Sequence, residues 1–277
     1  MIKKLKRMII LLLPKNLFFD RVVAYCYFCF AHKRLPKKGY FSEEFLRIKT
    51  SKEILNPLRQ FTSDKELVKI FIKGVIGDKF NVPTLKILHN KDQINNYNFP
   101  DNCCIKPTHA SGKFLIHKNG IPNRDEISAW LDLDYYAVSR EGNYKHLIPK
   151  VIVEPLIFNS DNILDFKFFC KFGEVKFIQV DVDRINDHKR KFYNPKWSEL
   201  DFSISYQRSN QVFPKPECLN EMIEAAKSLS SFFNVARIDF YTNNKVFYVG
   251  EITHCPESSN GRVIPNDKEE YVTKLFK

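Results

Sequence analysis

This 277-residue sequence lacks several features that would assign a protein at sight. Glycine is scarce, at nine residues, and no segment repeats or falls to low complexity, which excludes collagen-like, solenoid and disordered architectures. Nowhere do ~18 uncharged apolar residues follow one another, as a membrane-spanning helix requires. The most apolar stretch, residues 8 to 30, is interrupted by Lys15, Asp20 and Arg21. The seven cysteines (Cys26, Cys29, Cys103, Cys104, Cys170, Cys218, Cys255) are odd in number and have no regular spacing, so no disulfide framework is expected and a reducing cytoplasm fits. Cys26, Cys29 and His32 have zinc-like spacing, but no second Cys/His pair lies close by, and buried thiols are the expectation. A Gly-x4-Gly-Lys-Ser/Thr phosphate loop is absent. No Ser-His-Asp or Cys-His arrangement is visible either: His109, His146, His188 and His254 are scattered and are expected at the surface or in loops.

What is present describes an ordinary globular chain, 44% hydrophobic and 27% charged, long enough for more than one subdomain. Its net charge of +12 draws it to anionic partners. The basic residues are spread along the chain, with local clusters at Lys3 to Arg7, Lys33 to Lys38 and Lys189 to Lys191. No basic arm or recognition motif stands out, and no nucleic-acid partner is expected. The first residues imitate a signal peptide, yet the apolar run stops at Leu13 and Pro14-Lys15-Asn16 follows instead of a small-residue cleavage site. Such a basic, apolar start can rest on a membrane surface or pack as a helix pair against the body; the sequence leaves both open.

Residues 1 to 60 read as a helical accessory region, with turns signalled at Pro14, Pro36 and Gly39. A helix is predicted over Lys65 to Gly74, capped from Thr62-Ser63-Asp64. Strands are predicted at Val82 to Leu88, Cys103 to Pro107 and Phe114 to His117, the last two flanking a small-residue loop, Thr108 to Lys113. Asp125 to Ala137 reads as a helix and Val151 to Ile157 as a buried strand. Strands at Asp165 to Cys170 and Val175 to Asp181 precede an amphipathic helix, Glu221 to Phe233, and a hairpin of Val235 to Tyr241 with Lys245 to Glu251, turning at Asn243-Asn244. The sum is an α+β chain rich in antiparallel sheet, with expected units at 1–60, 61–150 and 151–277.

Chemistry concentrates in four segments. Strand alternation puts Arg237 and Asp239 on one face, and likewise Glu251 and Thr253, so a hairpin can gather two carboxylates and an arginine, a donor set suited to Mg²⁺ and phosphate or to a plain charge-paired hairpin. Lys106 on a strand precedes the loop holding Ser111 and Gly112, whose backbone N–H groups can reach phosphate oxygens. Glu154 and Leu156 flank a proline at a strand end. Asp165 and Lys167 share a strand face as an ion pair or a phosphate contact.

In this order, Ser63-Asp64-Lys65, Ile105-Lys106-Pro107 with His109 to Gly112, Ile152 to Leu156, Asp165 to Cys170, Phe192-Tyr193 with Trp197, Met222 to Ala226, Ala236 to Tyr241 and Gly250 to Thr253 resemble the ATP-grasp superfamily, and within it the TupA-like branch of teichuronopeptide biosynthesis. The resemblance runs from about Thr62 to Gly261. It implies two α+β lobes whose antiparallel sheets sandwich ATP, behind a helical N-terminal region. It further implies that Lys65 and Lys106 touch the phosphates under the Ser111-Gly112 loop, with Glu154 and Leu156 at the adenine and ribose hinge. Lys167 approaches from the C-terminal lobe, Asp239 and Glu251 hold Mg²⁺, and Arg237 steadies the acyl phosphate. Thr253 departs from the pattern, standing where many family members place a metal-binding Asn. The implied activity is ATP-dependent ligation of a carboxylate, from an acidic sugar or glycan, to an amino acid or other amine, in the cytoplasm or at the inner face of the membrane. The alternative is a non-catalytic glycan-binding or scaffold protein on a degenerate ATP-grasp body.

Overall fold

The computed structural model describes residues 10–159, 164–182 and 187–277, so the basic cluster Lys3 to Arg7 lies outside the described residues. Helix α1 (Leu17–His32) is capped by Asn16, whose side chain accepts from the Phe19 N–H, and ends at Lys33 in the left-handed conformation. It is followed by α2 (Phe41–Thr50), α3 (Pro57–Ser63) and α4 (Leu67–Val75). The predicted cap is seen at Asp64, whose Oδ1 accepts from the N–H groups of Glu66 and Leu67 at 2.9 and 3.1 Å. One side of α1 packs on the body: Ala24 and Phe28 meet Leu46 of α2, and the buried Asp20 carboxylate accepts from Tyr136 (2.8 Å) and Arg140 (3.3 Å).

The first sheet contains β1 (Lys86–Leu88), β2 (Cys103–Pro107), β3 (Leu115–His117) and β4 (Val151–Pro155), antiparallel in the order β1-β4-β2-β3. Its core gathers Leu88, Ile105, Val151 and Val153 against Ile127 and Trp130. The single helix expected over Asp125 to Ala137 is broken into Arg124–Ala129, a 3-10 turn at Trp130–Asp132, and Tyr135–Ser139. Asp134 causes the restart: its carboxylate accepts from the Ala137 N–H at 2.8 Å, and aspartate is a better cap than helix interior.

The second sheet has six antiparallel strands: β5 (Leu164–Lys171), β6 (Glu174–Val182), β7 (Lys189–Tyr193), β8 (Glu199–Leu200), β10 (Val235–Thr242) and β11 (Phe247–Thr253), in the order β11-β10-β5-β6-β7-β8. A small ribbon pairs β9 (Ser203–Ile204) with β12 (Val263–Ile264). Alternation sends Phe166, Phe168, Ile178, Val180, Ala236, Ile238 and Phe240 to the back face, where Leu219, Met222, Ala226 and Leu229 of α5 (Leu219–Ser230) cover them together with Val68 and Ile72 of α4. Each of the buried Phe, Leu, Ile, Val and Met side chains here is worth roughly 1.5–3 kcal/mol, and this face is the main core. The front face divides in two. Phe169, Phe177 and Phe192 pack under Phe41 and Phe45 of α2 and Phe276, just past α6 (Glu269–Leu275). The remaining front-face positions are polar and turn toward the first sheet.

Two contacts fasten the lobes together. Asn81, ahead of β1, bridges to Val249 of β11, and the Phe80 ring stacks on Phe247 at 4.9 Å. Between Asp239 and Phe240 the β10–β11 register shifts, with Asp239 opposite Glu251 and Phe240 opposite Val249, so Gly250 is the extra residue of a bulge.

Candidate active site

The polar half of the second sheet is a continuous row, because register places Glu251 opposite Asp239, Asp239 opposite Lys167, and Lys167 opposite Gln179. Arg237 grips Asp239 with both ends of its guanidinium, Nε to Oδ1 at 2.7 Å and Nη2 to Oδ2 at 2.6 Å. The same Nη2 donates to Thr253 Oγ1 at 3.1 Å and stands 3.6 Å from Glu251 Oε1. Thr253 passes its own proton to Glu251 Oε1 at 2.9 Å, so its hydroxyl is occupied on both sides. Lys167 bonds Asp165 and lies 3.3 Å from Asp239 and 3.5 Å from Asp181. Alternation thus delivers Arg237, Asp239, Glu251, Thr253, Asp165 and Lys167 to one place.

These charges act on one another strongly because the row is buried. Burial, reinforced by the nearby Glu251 carboxylate, pushes Asp239 up to about 6 against the pull of Arg237 and Lys167. Burial also works against the charge on Glu251, but Lys65, Arg237 and Lys167 more than offset it and hold that carboxyl at about 2. Lys167 itself is raised: its desolvation is outweighed by Asp165 and Asp239.

Lys65 belongs to the other side of the cleft. Its Nζ donates to the Ala110 carbonyl and its N–H to the Thr108 carbonyl at 3.1 Å, tying the start of α4 to the loop after β2. Burial lowers its ammonium, and the carboxylate that most opposes this is Glu251, across the cleft. Lys106 donates to Glu154 Oε2 at 2.7 Å, while Lys69, which the sequence motifs did not single out, meets Glu154 Oε1 at 2.5 Å. Burial disfavours the charge on Glu154, yet Lys106 and Lys69 bring its carboxyl below the usual range. Lys106 also stands 5.7 Å from the centre of the Tyr241 ring, another bridge between the two sheets. A Cβ on Gly250 would come 2.7 Å from that ring, so the bulge glycine is what lets Tyr241 lie there. The Leu156 N–H is already engaged with the Asn102 carbonyl at 2.8 Å. Ser111 hydrogen-bonds Tyr135, and Gly112 adopts φ +73° with open space around it, a conformation that favours glycine.

Contacts reveal a second set of groups with no sequence signal. Glu141, buried, accepts from Ser258 Oγ at 2.8 Å, and buried Lys49 of α2 donates to Ser258 Oγ at 2.6 Å and to the Ser139 carbonyl at 3.1 Å. Burial raises the Glu141 carboxyl, with Glu251 adding to the effect. Ser258 lies in the loop after β11, where Glu257, Ser258 and Ser259 all have positive φ (52°, 53°, 63°), backbone strain of the kind concentrated at functional sites. A cavity of about 20 Å³, room for one water, lies between Arg237, Arg190, Gln179, Glu257 and Ser259. His254 lies in the loop after β11, within the surface-or-loop expectation, but it is not at the surface. It is 2% exposed, its Nδ1 accepts from Arg59 at 2.9 Å and its Nε2 donates to Thr62 at 2.9 Å, which fixes it neutral; burial and then Arg59 hold its pKa well below normal. His109 is in its loop as expected, but buried. Cys26 is exposed while His32 stacks on Phe28, and among the described residues no cluster of three or more His, Cys, Asp or Glu side chains forms a metal site.

The donor set at Asp239 and Glu251 fits a Mg²⁺ ion that takes its other oxygens from phosphate and water. Asp239 and Glu251 stand opposite each other on neighbouring strands, and burial first, with Glu251 adding to it, raises the proton affinity of Asp239.

The family described as TupA-like ATPgrasp matches residues 44–277, and the chain belongs to it. Its fold is accordingly the α+β ATP-grasp fold, with a helical N-terminal region. Among curated proteins nothing matches the sequence. Similar solved structures include the D-alanine-D-alanine ligase from Helicobacter pylori (21% identity, 72% of this chain and 56% of that one, TM-score 0.38). Two others are the D-alanine–D-alanine ligase from Bacillus anthracis (15%, 78% and 64%, 0.42) and the L-amino acid ligase from Bacillus licheniformis (15%, 79% and 51%, 0.43). The chain spans between 51% and 64% of the length of these three proteins.

Proposed function

We propose that this protein is an ATP-dependent carboxylate–amine ligase that forms an amide through an acyl phosphate. The observation that carries the proposal is the row of buried Asp239, Arg237 and Lys167 with half-buried Glu251 on one sheet, facing Lys106 of the other sheet and Lys65 of the turn before α4. Lys65 and Lys106 bind phosphate oxygens, Glu154 and Lys69 fix the direction of Lys106, and the Ser111-Gly112 loop covers the phosphates. The backbone from Glu154 to Leu156 borders the adenine and ribose. Mg²⁺ when bound is held by Asp239 and Glu251 and neutralises charge on the transferring phosphoryl group. The substrate carboxylate attacks the γ-phosphate and ADP leaves as the bond to its β-phosphate oxygen breaks; Lys167 and Arg237 stabilise the charge that develops, and Arg237 then steadies the intermediate as the amine attacks the acyl carbon, phosphate departs and the amine proton passes to solvent or phosphate.

Membership of the TupA-like family supports an acidic sugar carboxylate, a uronic acid of a cell-surface polysaccharide, as the activated group, with an amino acid or other amine as acceptor. The positive charge of the chain suits such a substrate. Calorimetric titration of ATP with Mg²⁺ into the parent and into the Asp239→Ala, Glu251→Ala variant tests the site. Micromolar binding by the parent and its loss in the variant are expected, followed by phosphate release when uronic acids and amines are supplied together. A folded parent that binds no nucleotide would overturn the ligase and leave the glycan-binding scaffold.

A further inference from the structure

Helix α1 turns only part of its apolar surface inward. Phe18, Val22, Tyr25 and Cys29, spaced by four, three and four, form one stripe, and Phe18, Val22 and Tyr25 are 66%, 42% and 44% exposed. Phe30, 72% exposed, borders that stripe on one side, and Leu12 and Leu35, at 83% and 77%, extend the apolar surface beyond either end of the helix. Isolated exposed apolar residues are ordinary, but a helix-long band of them marks an interaction surface. No helix among the described residues is long and apolar enough to cross a membrane.

The charges beside this band choose the occupant. Lys33, Lys37 and Lys38 are exposed where α1 ends, and Lys15 and Arg21 are exposed near its start. Most neighbouring carboxylates are turned inward or spent: Asp20 is buried on Arg140, Glu43 is buried on Arg34, which Glu269 also meets, and Asp134 pairs with Lys15, while Glu270 is exposed beside Tyr40. A second copy meeting this face would set lysines against lysines, whereas anionic lipid headgroups complement them.

We infer that the outer face of α1 docks this protein on an anionic bilayer surface, the helix lying in the interface with Phe18, Val22 and Phe30 among the acyl chains and Lys33, Lys37 and Lys38 at the headgroups. The docking is independent of the chemistry proposed for the cleft. Sedimentation of the full-length chain with vesicles of phosphatidylcholine, alone or mixed with phosphatidylglycerol, tests it. The parent should sediment with the mixed vesicles. Phe18→Glu, Phe30→Glu should lower its partitioning by roughly tenfold or more, since both apolar anchors are lost. Lys33→Glu, Lys37→Glu, Lys38→Glu should lower binding to the mixed vesicles and leave the little binding to pure phosphatidylcholine unchanged. All these side chains are at the surface, and urea midpoints equal to the parent's verify that the variants fold. A parent that ignores the mixed vesicles, or a Phe18→Glu, Phe30→Glu variant that binds as the parent does, would overturn the docking. So would concentration-dependent dimerisation abolished by the same variant without any vesicle binding.

Discussion

Lys167 is the residue whose removal probes the cleft most directly. Its ammonium is shared by Asp165, Asp239 and Asp181, and the pairs are almost fully shielded, with 6% of the Lys167 side chain exposed against 7%, 4% and 1% for the three partners. Lys167→Met keeps the aliphatic length and deletes the charge, leaving buried carboxylates short of a cation. Breaking such a pair costs about 3–5 kcal/mol, roughly a fifth or more of the ~5–15 kcal/mol that stabilises a typical protein. Urea unfolding followed by the fluorescence of Trp130 and Trp197 measures the loss at pH 7.5. Asp165→Asn alone should also destabilise, but the loss in the double variant should be well below the sum of the two single losses, since each change removes the other's stranded partner. The pH dependence has a definite sign. Burial already raises Asp239 to about 6 against the pull of Arg237 and Lys167, so without the ammonium its folded carboxyl binds a proton more tightly still than the unfolded one, and the deficit narrows as pH falls toward 5. A Lys167→Met variant within 1 kcal/mol of the parent, or strict additivity with Asp165→Asn, would refute the shared-cation account.

Gly250→Ala places a methyl 2.7 Å from the Tyr241 ring, which must move; a cost of about 1–3 kcal/mol in urea unfolding and weaker nucleotide binding in calorimetry are expected, and unchanged binding would remove Tyr241 from the cleft's architecture. His32 is held at about 4, first by burial and then by Arg34, so between that value and its ordinary ~6.5 the unfolded chain binds a proton that the folded one refuses. Stability should therefore fall as pH drops from about 6.5 to about 4, and His32→Gln should flatten that slope; the same slope in both proteins would exclude His32 as its source.

Much of the sheet was legible because its strands alternate. Cys103 to Pro107, Asp165 to Cys170 and Val235 to Tyr241 all carry apolar residues on one face, and the structure places strands there within a residue or two. The strand Lys189–Tyr193 was harder: Arg190 is buried because Asp181 and Glu257 meet it, so a charge occupies an inward position and spoils the pattern. Within the cleft, Arg237, Asp239, Glu251 and Thr253 could be grouped in advance because they share a hairpin. Lys49, Glu141 and Ser258 could not, since they come from three distant segments and only tertiary contact joins them. The burial of His254 within its loop was hidden for a similar reason, because it depends on Arg59, almost two hundred residues earlier.

The route of the chain between the sheets has a consequence for dissection. Val68, Ile72 and Phe80 precede the first sheet in sequence, yet they fill the core behind the second, while Phe41 and Phe45 roof its front. Severing the polypeptide between the sheets would thus strip the second sheet of Phe41, Phe45, Val68 and Ile72, whereas the first sheet's own core, drawn from Leu88 to Val153, would stay on one fragment. The C-terminal half is therefore not an excisable module: expressed alone it should aggregate, and expressed with the N-terminal fragment it should reassemble into one body, making the chain a candidate for fragment complementation rather than for transplantation of that lobe.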